Sequence, residues 1–200
     1  MVVHAAASIG ENYRRNNPCL FKGPASTSQV IRWSPPPAGF AKLNFDGSVV
    51  NNKKAAAGFV IRDHDGSPLF AGARAIGHAS VPIAEGSAVR DGLYHAFLLN
   101  CRKLYVEGDS KLIIDSINKK CAPPWRLRTL VKDILSLASN FEAVSFSYVP
   151  REANFVADAV TNMGHRSSTP ITWSKKLPFS ALSAFNFDQF SFGCNRGFKL

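Results

Sequence analysis

Three consecutive strand patterns within residues 40–76 constrain the fold more than any other feature of the sequence. Residues 40–49 (FAKLNFDGSV) alternate apolar and polar side chains, which is typical of a half-buried strand. Residues 55–63 (AAAGFVIRD) and 68–76 (PLFAGARAI) are the next two strand patterns, and DHDGSP between them carries the Asp-Gly signal of a hairpin turn. Because strands joined by short turns pair antiparallel, the fold is predicted to begin with a three-stranded meander.

Helical patterns then alternate with two further strands. Ser80 and Pro82 are typical of a helix start, and apolar residues recur at helical spacing as far as Leu99. The later segments are a strand (KLYVEGDS), two helices (KLIIDSINKK and TLVKDILSLASNF), a fifth strand (AVSFSYVP) and a closing helix (ANFVADAVTNMGHR). This order, β-β-β-α-β-α-α-β-α, predicts an α/β fold. Its mixed sheet would have five strands, three antiparallel and then parallel ones, flanked by helices.

The 200 residues suffice for about one domain with tails. WSPPPAG at residues 33–39 is too rich in proline for a helix, so the domain is predicted to span residues 33–166. Residues 1–32 are expected to be a disordered N-terminal extension. Residues 167–200 form a phenylalanine-rich tail, for which an extra strand, a partner-binding tail, a disordered extension and a gene-model artefact all stay open.

Charge and composition indicate the class of partner. The formal net charge is +10, and the tails are short of acids, so we expect a polyanionic partner such as nucleic acid. No apolar run has the roughly 18 residues that a membrane span requires, so no membrane partner is expected. Four scattered cysteines suit a reducing compartment, which favours the nucleus or cytoplasm, with an organelle left open. A monomer is the default expectation.

Four acidic residues are predicted to converge. Asp46 ends the first strand, Glu85 lies in the first turn of the first long helix, Asp109 ends the fourth strand, and Asp158 lies in the last helix. If the first and fourth strands are parallel neighbours, Asp46 and Asp109 meet at one edge of the sheet, where clefts open in α/β folds. Each acid alone is more typical of a turn, a helix cap or a solvated polar stripe.

The motifs LNFDGS, AEGSA, EGDS and REANFVAD, in this order, resemble the type 1 ribonuclease H family. WSPPPAGFAKLNFDGS and VPREANFVADAV are similar to the plant subgroup of ribonuclease H-like domains related to non-LTR retrotransposons. The resemblance covers residues 33–166 and implies a ribonuclease H-like fold. It also implies that Asp46, Glu85, Asp109 and Asp158 are the catalytic, metal-binding carboxylates, and that Asn154 contacts substrate or supports a ligand.

The resemblance implies a Mg²⁺-dependent endoribonuclease that hydrolyses the RNA strand of RNA/DNA hybrids and leaves 5′-phosphate and 3′-hydroxyl ends. Two Mg²⁺ ions, for which Mn²⁺ could substitute, would need such hard oxygen ligands, with Asp46 bridging both. The family's loop histidine before the last helix is missing from SYVPREANF. Two alternatives stay open. The missing histidine and the unusual tail suggest a transposon-derived nucleic-acid-binding domain with little or no catalysis. A 3′ exonuclease of the same fold is the other, and the sequence contexts of the acids fit it less well.

A basic loop, NKKCAPPWRLR, separates the second and third predicted helices. It contains Lys119, Lys120, Trp125, Arg126 and Arg128. One interpretation is a substrate-binding patch in which the cations contact backbone phosphates and the tryptophan lies against a sugar or base. The other is a solvated loop with Trp125 packed into the domain. The resemblance favours the patch, because bacterial relatives carry a basic, tryptophan-bearing protrusion in this region.

Overall fold

A six-stranded mixed sheet organises the chain. The structure is a computed structural model, and it describes residues 30–50, 53–190 and 192–200. The strands are β1 (Ala41–Val50), β2 (Lys54–Arg62), β3 (Pro68–His78), β4 (Lys103–Gly108), β5 (Ala143–Tyr148) and β6 (Ile171–Ser174). They lie side by side in the order β5-β4-β1-β2-β3-β6. The pairs β1–β2, β2–β3 and β3–β6 are antiparallel, and the pairs β1–β4 and β4–β5 are parallel.

Among the described residues, five α-helices accompany the sheet. They are α1 (Val81–Leu98), α2 (Lys111–Ile117), α3 (Arg128–Ala138), α4 (Phe155–Gly164) and α5 (Leu182–Gln189). The predicted order of elements is confirmed as far as α4, and the predicted start of α1 is confirmed because Ser80 is its N-cap and a proline follows within the first two positions. In the described part of the chain, no helix is both long and apolar enough to cross a membrane.

Two hydrophobic clusters cover the two faces of the sheet, because neighbouring residues of a strand point to opposite sides. Ile61 of β2 packs in the cluster that contains the buried residues of α1, α2 and α3. Val60, one residue earlier, packs in the cluster that contains the buried residues of α4 and α5. The central strands are therefore buried on both faces, which explains why the segment AAAGFVIRD is a nearly continuous apolar run.

The pairing of β1 with β4 sets the position of the predicted acids. The parallel register runs from Ala41 opposite Leu104 to Asn44 opposite Glu107. Asp46 and Asp109 each lie two residues beyond the last of these pairs, so they stand at the same level of the sheet. The prediction that Asp46 ends its strand is wrong, because β1 continues to Val50 through its pairing with β2.

The segment after residue 166 joins the sheet, which has six strands among the described residues rather than the predicted five. β6 pairs antiparallel with β3. Asp188 of α5 forms a buried ion pair with Arg62 of β2, 2.7 Å between Oδ2 and Nη1. The Arg62 guanidinium also lies 3.5 Å from the centre of the Trp33 ring.

Of the alternatives left open for residues 167–200, the extra strand is the one that the structure contains. The extension predicted for residues 1–32 lies outside the described residues as far as residue 29.

Candidate active site

Three of the four predicted carboxylates form one cluster. Asp46 of β1, Glu85 of α1 and Asp109 just after β4 each place a carboxylate oxygen within 4.8 Å of the others. The prediction that Glu85 lies in the first turn of its helix is wrong: it is the fifth residue of α1, so it begins the second turn. Three acids from distant parts of the sequence thus meet where β1 and β4 run side by side.

Two glycines allow the helices to approach the sheet at this cluster. A Cβ atom on Gly47 would lie 2.1 Å from the backbone nitrogen of Glu85, so only glycine lets α1 come so close to β1. A Cβ atom on Gly58 of β2, which is paired with Asp46, would lie 2.6 Å from the backbone of Thr161 in α4. The glycine of the DGS motif therefore brings the Glu85 carboxylate beside that of Asp46.

The three clustered carboxyls have raised pKa values. Burial is the main cause for Asp46, whose pKa rises from 3.8 to about 7, and the charges of Asp109 and Asp158 add to it. Burial also raises the pKa of Glu85 to about 10, with repulsion from Asp46 as the second cause. The pKa of Asp109 is raised by burial as well, although the Arg151 guanidinium opposes this shift. The cluster therefore resists ionisation unless a cation neutralises it.

The cluster fits a divalent cation. Asp46 Oδ2 and Glu85 Oε2 are buried, and neither accepts a hydrogen bond from any described residue. Buried oxygen acceptors without donors are costly to a fold, and carboxylate oxygens are the ligands that Mg²⁺ prefers. Asp46, Glu85 and Asp109 are therefore the residues that could hold such a metal ion.

Asn154 supports the cluster from the start of α4. Its Nδ2 donates to the carbonyl oxygen of Phe45 at 2.8 Å and to Asp109 Oδ1 at 3.4 Å. The prediction that the closing helix begins at Ala153 is wrong: residues 151–153 form a 3₁₀ turn, and Asn154 is the N-cap of α4 with φ −128°. Asn154 is buried rather than part of a solvated stripe, and its Oδ1 accepts no hydrogen bond from the described residues.

Asp158 stands beside the three clustered acids but is not one of them. Its Oδ1 accepts a hydrogen bond from Arg151 Nη2 at 2.9 Å. Repulsion from the charge of Asp158 is one of the causes that raise the pKa values of Asp46 and Asp109. Arg151 therefore supplies positive charge at the rim, where a fourth ligand was predicted.

The predicted basic patch is divided between two surfaces. Lys119, Lys120 and Arg128 line a groove of about 600 Å³ between α2 and α3. Trp125 and Arg126 line a smaller hollow, of about 140 Å³, together with residues at the start of α1. Trp125 is 73% exposed, so the alternative in which it packs into the domain is wrong. The Arg126 guanidinium lies 4.9 Å from the centre of the Trp125 ring.

Two residues near the acids were not assigned a role from the sequence. Arg151 is the first residue of the REANFVAD motif, and the 3₁₀ turn before α4 places its guanidinium on Asp158, seven positions later in the sequence. His165 follows Asp158 in the sequence and therefore does not match the family's loop histidine, and its Nε2 lies 2.7 Å from Ser48 Oγ on β1. No local pattern links residues 48 and 165, because the packing of α4 on the sheet brings them together.

Comparison with known proteins assigns this geometry to a family. The family model described as Reverse transcriptase-like matches residues 44–164, which include the three clustered acids, Asn154 and Asp158. The chain belongs to this family of ribonuclease H-like domains. An Arabidopsis thaliana protein named "Putative ribonuclease H protein" is 32% identical over 135 residues, which are 67% of this chain and 22% of that protein. The Mycobacterium tuberculosis protein named Bifunctional protein Rv2228c is 30% identical over 122 residues, 58% of this chain and 32% of that protein.

Solved ribonuclease H structures share the fold. RNase H1 from Halobacterium salinarum is 28% identical with a TM-score of 0.60, and the match covers 62% of this ribonuclease H-like chain and 96% of that one. The N-terminal RNase H domain of the mycobacterial Rv2228c protein is 28% identical with a TM-score of 0.61, covering 64% and 94%. The chain thus matches nearly complete ribonuclease H domains, whereas it spans about a fifth to a third of the curated relatives.

Proposed function

We propose that this ribonuclease H-like protein is a metal-dependent endoribonuclease that hydrolyses the RNA strand of RNA/DNA hybrids. The observation that carries the proposal is the cluster of Asp46, Glu85 and Asp109, in which one carboxylate oxygen of each residue lies within 4.8 Å of the others. Two buried oxygens of this cluster, Asp46 Oδ2 and Glu85 Oε2, accept no hydrogen bond from the described residues. Such a cluster is stable when a cation occupies it. The relatives named as ribonuclease H proteins support the same activity.

Two Mg²⁺ ions, replaceable by Mn²⁺, are the proposed cofactors. When bound, they would supply Lewis acidity to the scissile phosphate and lower the pKa of an attacking water. Asp46, Glu85 and Asp109 would hold one ion, and Asp46 with Asp158 would hold the other. The expected products carry 5′-phosphate and 3′-hydroxyl ends.

Arg151 and Asn154 would each control one of the proposed metal ligands, Asp158 and Asp109 respectively. Arg151 is 66% exposed and pairs with Asp158, so its guanidinium can leave when a metal ion takes the carboxylate and can then contact a substrate phosphate. Asn154 would hold Asp109 in place, because its amide bonds both that carboxylate and the β1 backbone. A direct contact of Asn154 with substrate remains part of the proposal.

The two basic surfaces would hold the hybrid. Lys119, Lys120 and Arg128 would contact phosphates, and the exposed Trp125 with Arg126 would offer a ring against a sugar or base. Selectivity for RNA would come from its 2′-hydroxyl groups, which DNA lacks. A solved structure of LC11-RNase H1 contains an RNA/DNA hybrid, which supports this class of partner. We still expect the protein to be a monomer, and we expect it in the nucleus, the cytoplasm or an organelle.

The second candidate function is nucleic-acid binding with little or no catalysis. Two observations favour it: Arg151 engages Asp158, a proposed metal ligand, and the loop before α4 has no histidine. A 3′ exonuclease of the same fold is the third candidate, and its cleavage would depend on a free RNA end.

The test is a cleavage assay with purified protein on internally labelled substrates of one sequence. An RNA/DNA hybrid, the same hybrid with both RNA ends blocked, double-stranded RNA and double-stranded DNA are incubated in Mg²⁺ and in Mn²⁺. We expect cleavage of both hybrids and of neither control duplex. Hybrids left intact in both metals would overturn the proposed activity, and cleavage of the unblocked hybrid alone would indicate an exonuclease.

A further inference from the structure

A cleft of about 560 Å³, lined by both polar and apolar side chains, opens beside Asp158, outside the acid cluster. One wall is α4 with the turn that follows it, and the other includes residues of the C-terminal segment that begins after residue 166. Asp158 lines the cleft and is itself a proposed metal ligand, so the cleft borders the candidate active site. The other residues that line the cleft have no role in the functions proposed above.

The walls of the cleft carry hydrogen-bond donors from both segments. Asn162, His165 and Arg166 line it from α4 and the following turn, and Ser180 and Ser183 line it from the C-terminal segment. An amide, an imidazole, a guanidinium and two hydroxyls are the groups that proteins use to bind backbone phosphates. This set matches the chemistry of a phosphodiester better than that of an apolar ligand.

His165 ties the cleft to the strand that bears Asp46. Its Nε2 lies 2.7 Å from Ser48 Oγ, and Ser48 is two residues after Asp46 on β1. The charge that can attract an anion belongs to Arg166. This side chain is exposed and forms no ion pair with any residue in the described part of the chain. Asp158, the carboxylate of this cleft, is already paired with Arg151.

The C-terminal wall is fixed to the sheet. Asp188 of α5 forms its buried ion pair with Arg62, and Gln189 Nε2 donates to the carbonyl oxygen of Gly66 at 3.1 Å. Ser183 lies on this helix, and Ser180 lies in the 3₁₀ turn that precedes it. The two hydroxyls are therefore held by the fold rather than presented on a loose tail.

We propose that this cleft binds a backbone phosphate of the nucleic-acid strand a short distance from the scissile position, with Arg166 as the charged contact. The proposal rests on the proposed function, because that function places the scissile phosphate at the acid cluster. It assigns to the segment after residue 166 a part in substrate binding. The ligand is a phosphodiester of RNA or DNA, and the strand that supplies it is an outcome of the test.

The test measures affinity for hybrids in which one phosphate at a time is replaced by an uncharged methylphosphonate. The protein carries Asp46→Asn to prevent cleavage, and each hybrid is measured with this protein and with the same protein carrying Arg166→Gln. In the Asp46→Asn protein, we expect one position of the hybrid at which replacing the charged phosphate by a methylphosphonate weakens binding about tenfold. Arg166→Gln should weaken binding of the unmodified hybrid by a similar factor and abolish the difference at that position.

Two further variants control the comparison. Arg102→Gln changes an exposed arginine that does not line the cleft, and it should leave the methylphosphonate profile unchanged. Ser180→Ala with Ser183→Ala removes two donors without changing charge, and it should reduce the penalty at the same position. The thermal midpoint Tm of each protein shows whether it is folded.

The proposal is overturned if the methylphosphonate profile is the same with and without Arg166, or if the hybrid does not bind at all. Cleavage by the wild-type protein without an Arg166-dependent position would leave the nuclease and remove the phosphate site. An Arg166-dependent position in a protein that never cleaves would keep the phosphate site and remove the nuclease.

Discussion

Gly47 lies against Glu85 so closely that a Cβ atom on residue 47 would stand 2.1 Å from the Glu85 backbone nitrogen. The carbonyl carbon of Ala84 would be 2.4 Å away. Both neighbours are backbone atoms of α1, so they cannot turn aside as a side chain could. The distance between the Asp46 and Glu85 carboxylates therefore depends on a residue that has no side chain.

We expect Gly47→Ala to displace α1 from β1. Overpacking of a filled interface costs about 1–3 kcal/mol of unfolding free energy, which urea denaturation measures. Hybrid cleavage should fall by more than the loss of folded protein explains, because Glu85 moves away from Asp46. A variant that keeps both its stability and its activity would show that this close approach does not position the carboxylate.

The acid cluster predicts how stability depends on pH without metal. Burial raises the pKa of Asp46 from 3.8 to about 7, so the folded chain holds this proton more tightly than the unfolded chain does. The Asp46 contribution therefore lowers the free energy of unfolding as pH rises from about 4 to about 7, and the loss persists above that pH. Glu85, with a pKa raised to about 10, extends the loss to higher pH.

Asp46→Asn should then be more stable than the wild type at pH 8 in a chelator, by about 1 kcal/mol or more, and the difference should shrink towards pH 4. Added Mg²⁺ should raise the Tm of the wild type more than that of the variant. Asp133→Asn, which changes an exposed carboxyl of α3, is the matched control. An Asp46→Asn advantage that stays constant across this pH range would contradict the raised pKa.

Patterns with a local cause were predictable from the sequence. The meander, the helices as far as α4 and the convergence of Asp46 with Asp109 follow from strand periodicity, turn residues and the parallel pairing of β1 with β4. Glu85 and Asn154 could be assigned only through resemblance, since a lone acid near a helix start and a lone asparagine have ordinary structural explanations.

Relationships that depend on tertiary packing were not predictable. The four residues of β6 are a weak pattern by themselves, and β6 is a strand because the edge of β3 is there to pair with it. The Arg62–Asp188 ion pair joins residues 126 positions apart, and no local rule links them. The engagement of Arg151 with Asp158 likewise depends on the 3₁₀ turn that precedes α4.

The ion pair of Arg62 and Asp188 predicts that the C-terminal segment is required for stability. Asp188→Ala should lower the free energy of unfolding by about 3–5 kcal/mol, because Arg62 would stay buried without its counter-ion. Urea denaturation measures the change. Glu142→Ala removes the partner of Arg102 in an exposed pair and should change little. Equal effects of the two substitutions would mean that Asp188 does not hold α5 to the sheet.

Trp125 predicts a stacking contribution to hybrid binding. Trp125→Ala should weaken binding by about 1–3 kcal/mol, because its ring is 73% exposed beside the start of α1. Fluorescence anisotropy with a labelled hybrid in the Asp46→Asn protein measures the affinity. Tyr94→Ala, which removes a half-exposed ring of α1, should have no effect. Comparable losses from both substitutions would argue against a specific contact at Trp125.

The most direct test of the account compares wild type and Asp46→Asn in cleavage of one RNA/DNA hybrid. Asp46 belongs to the acid cluster and has a buried oxygen that no described residue satisfies. The account predicts that the wild type cuts the RNA strand in Mg²⁺ or Mn²⁺, leaving 5′-phosphate ends, and that Asp46→Asn binds the hybrid but does not cut it. Equal cleavage by both proteins, or none by either, would contradict it.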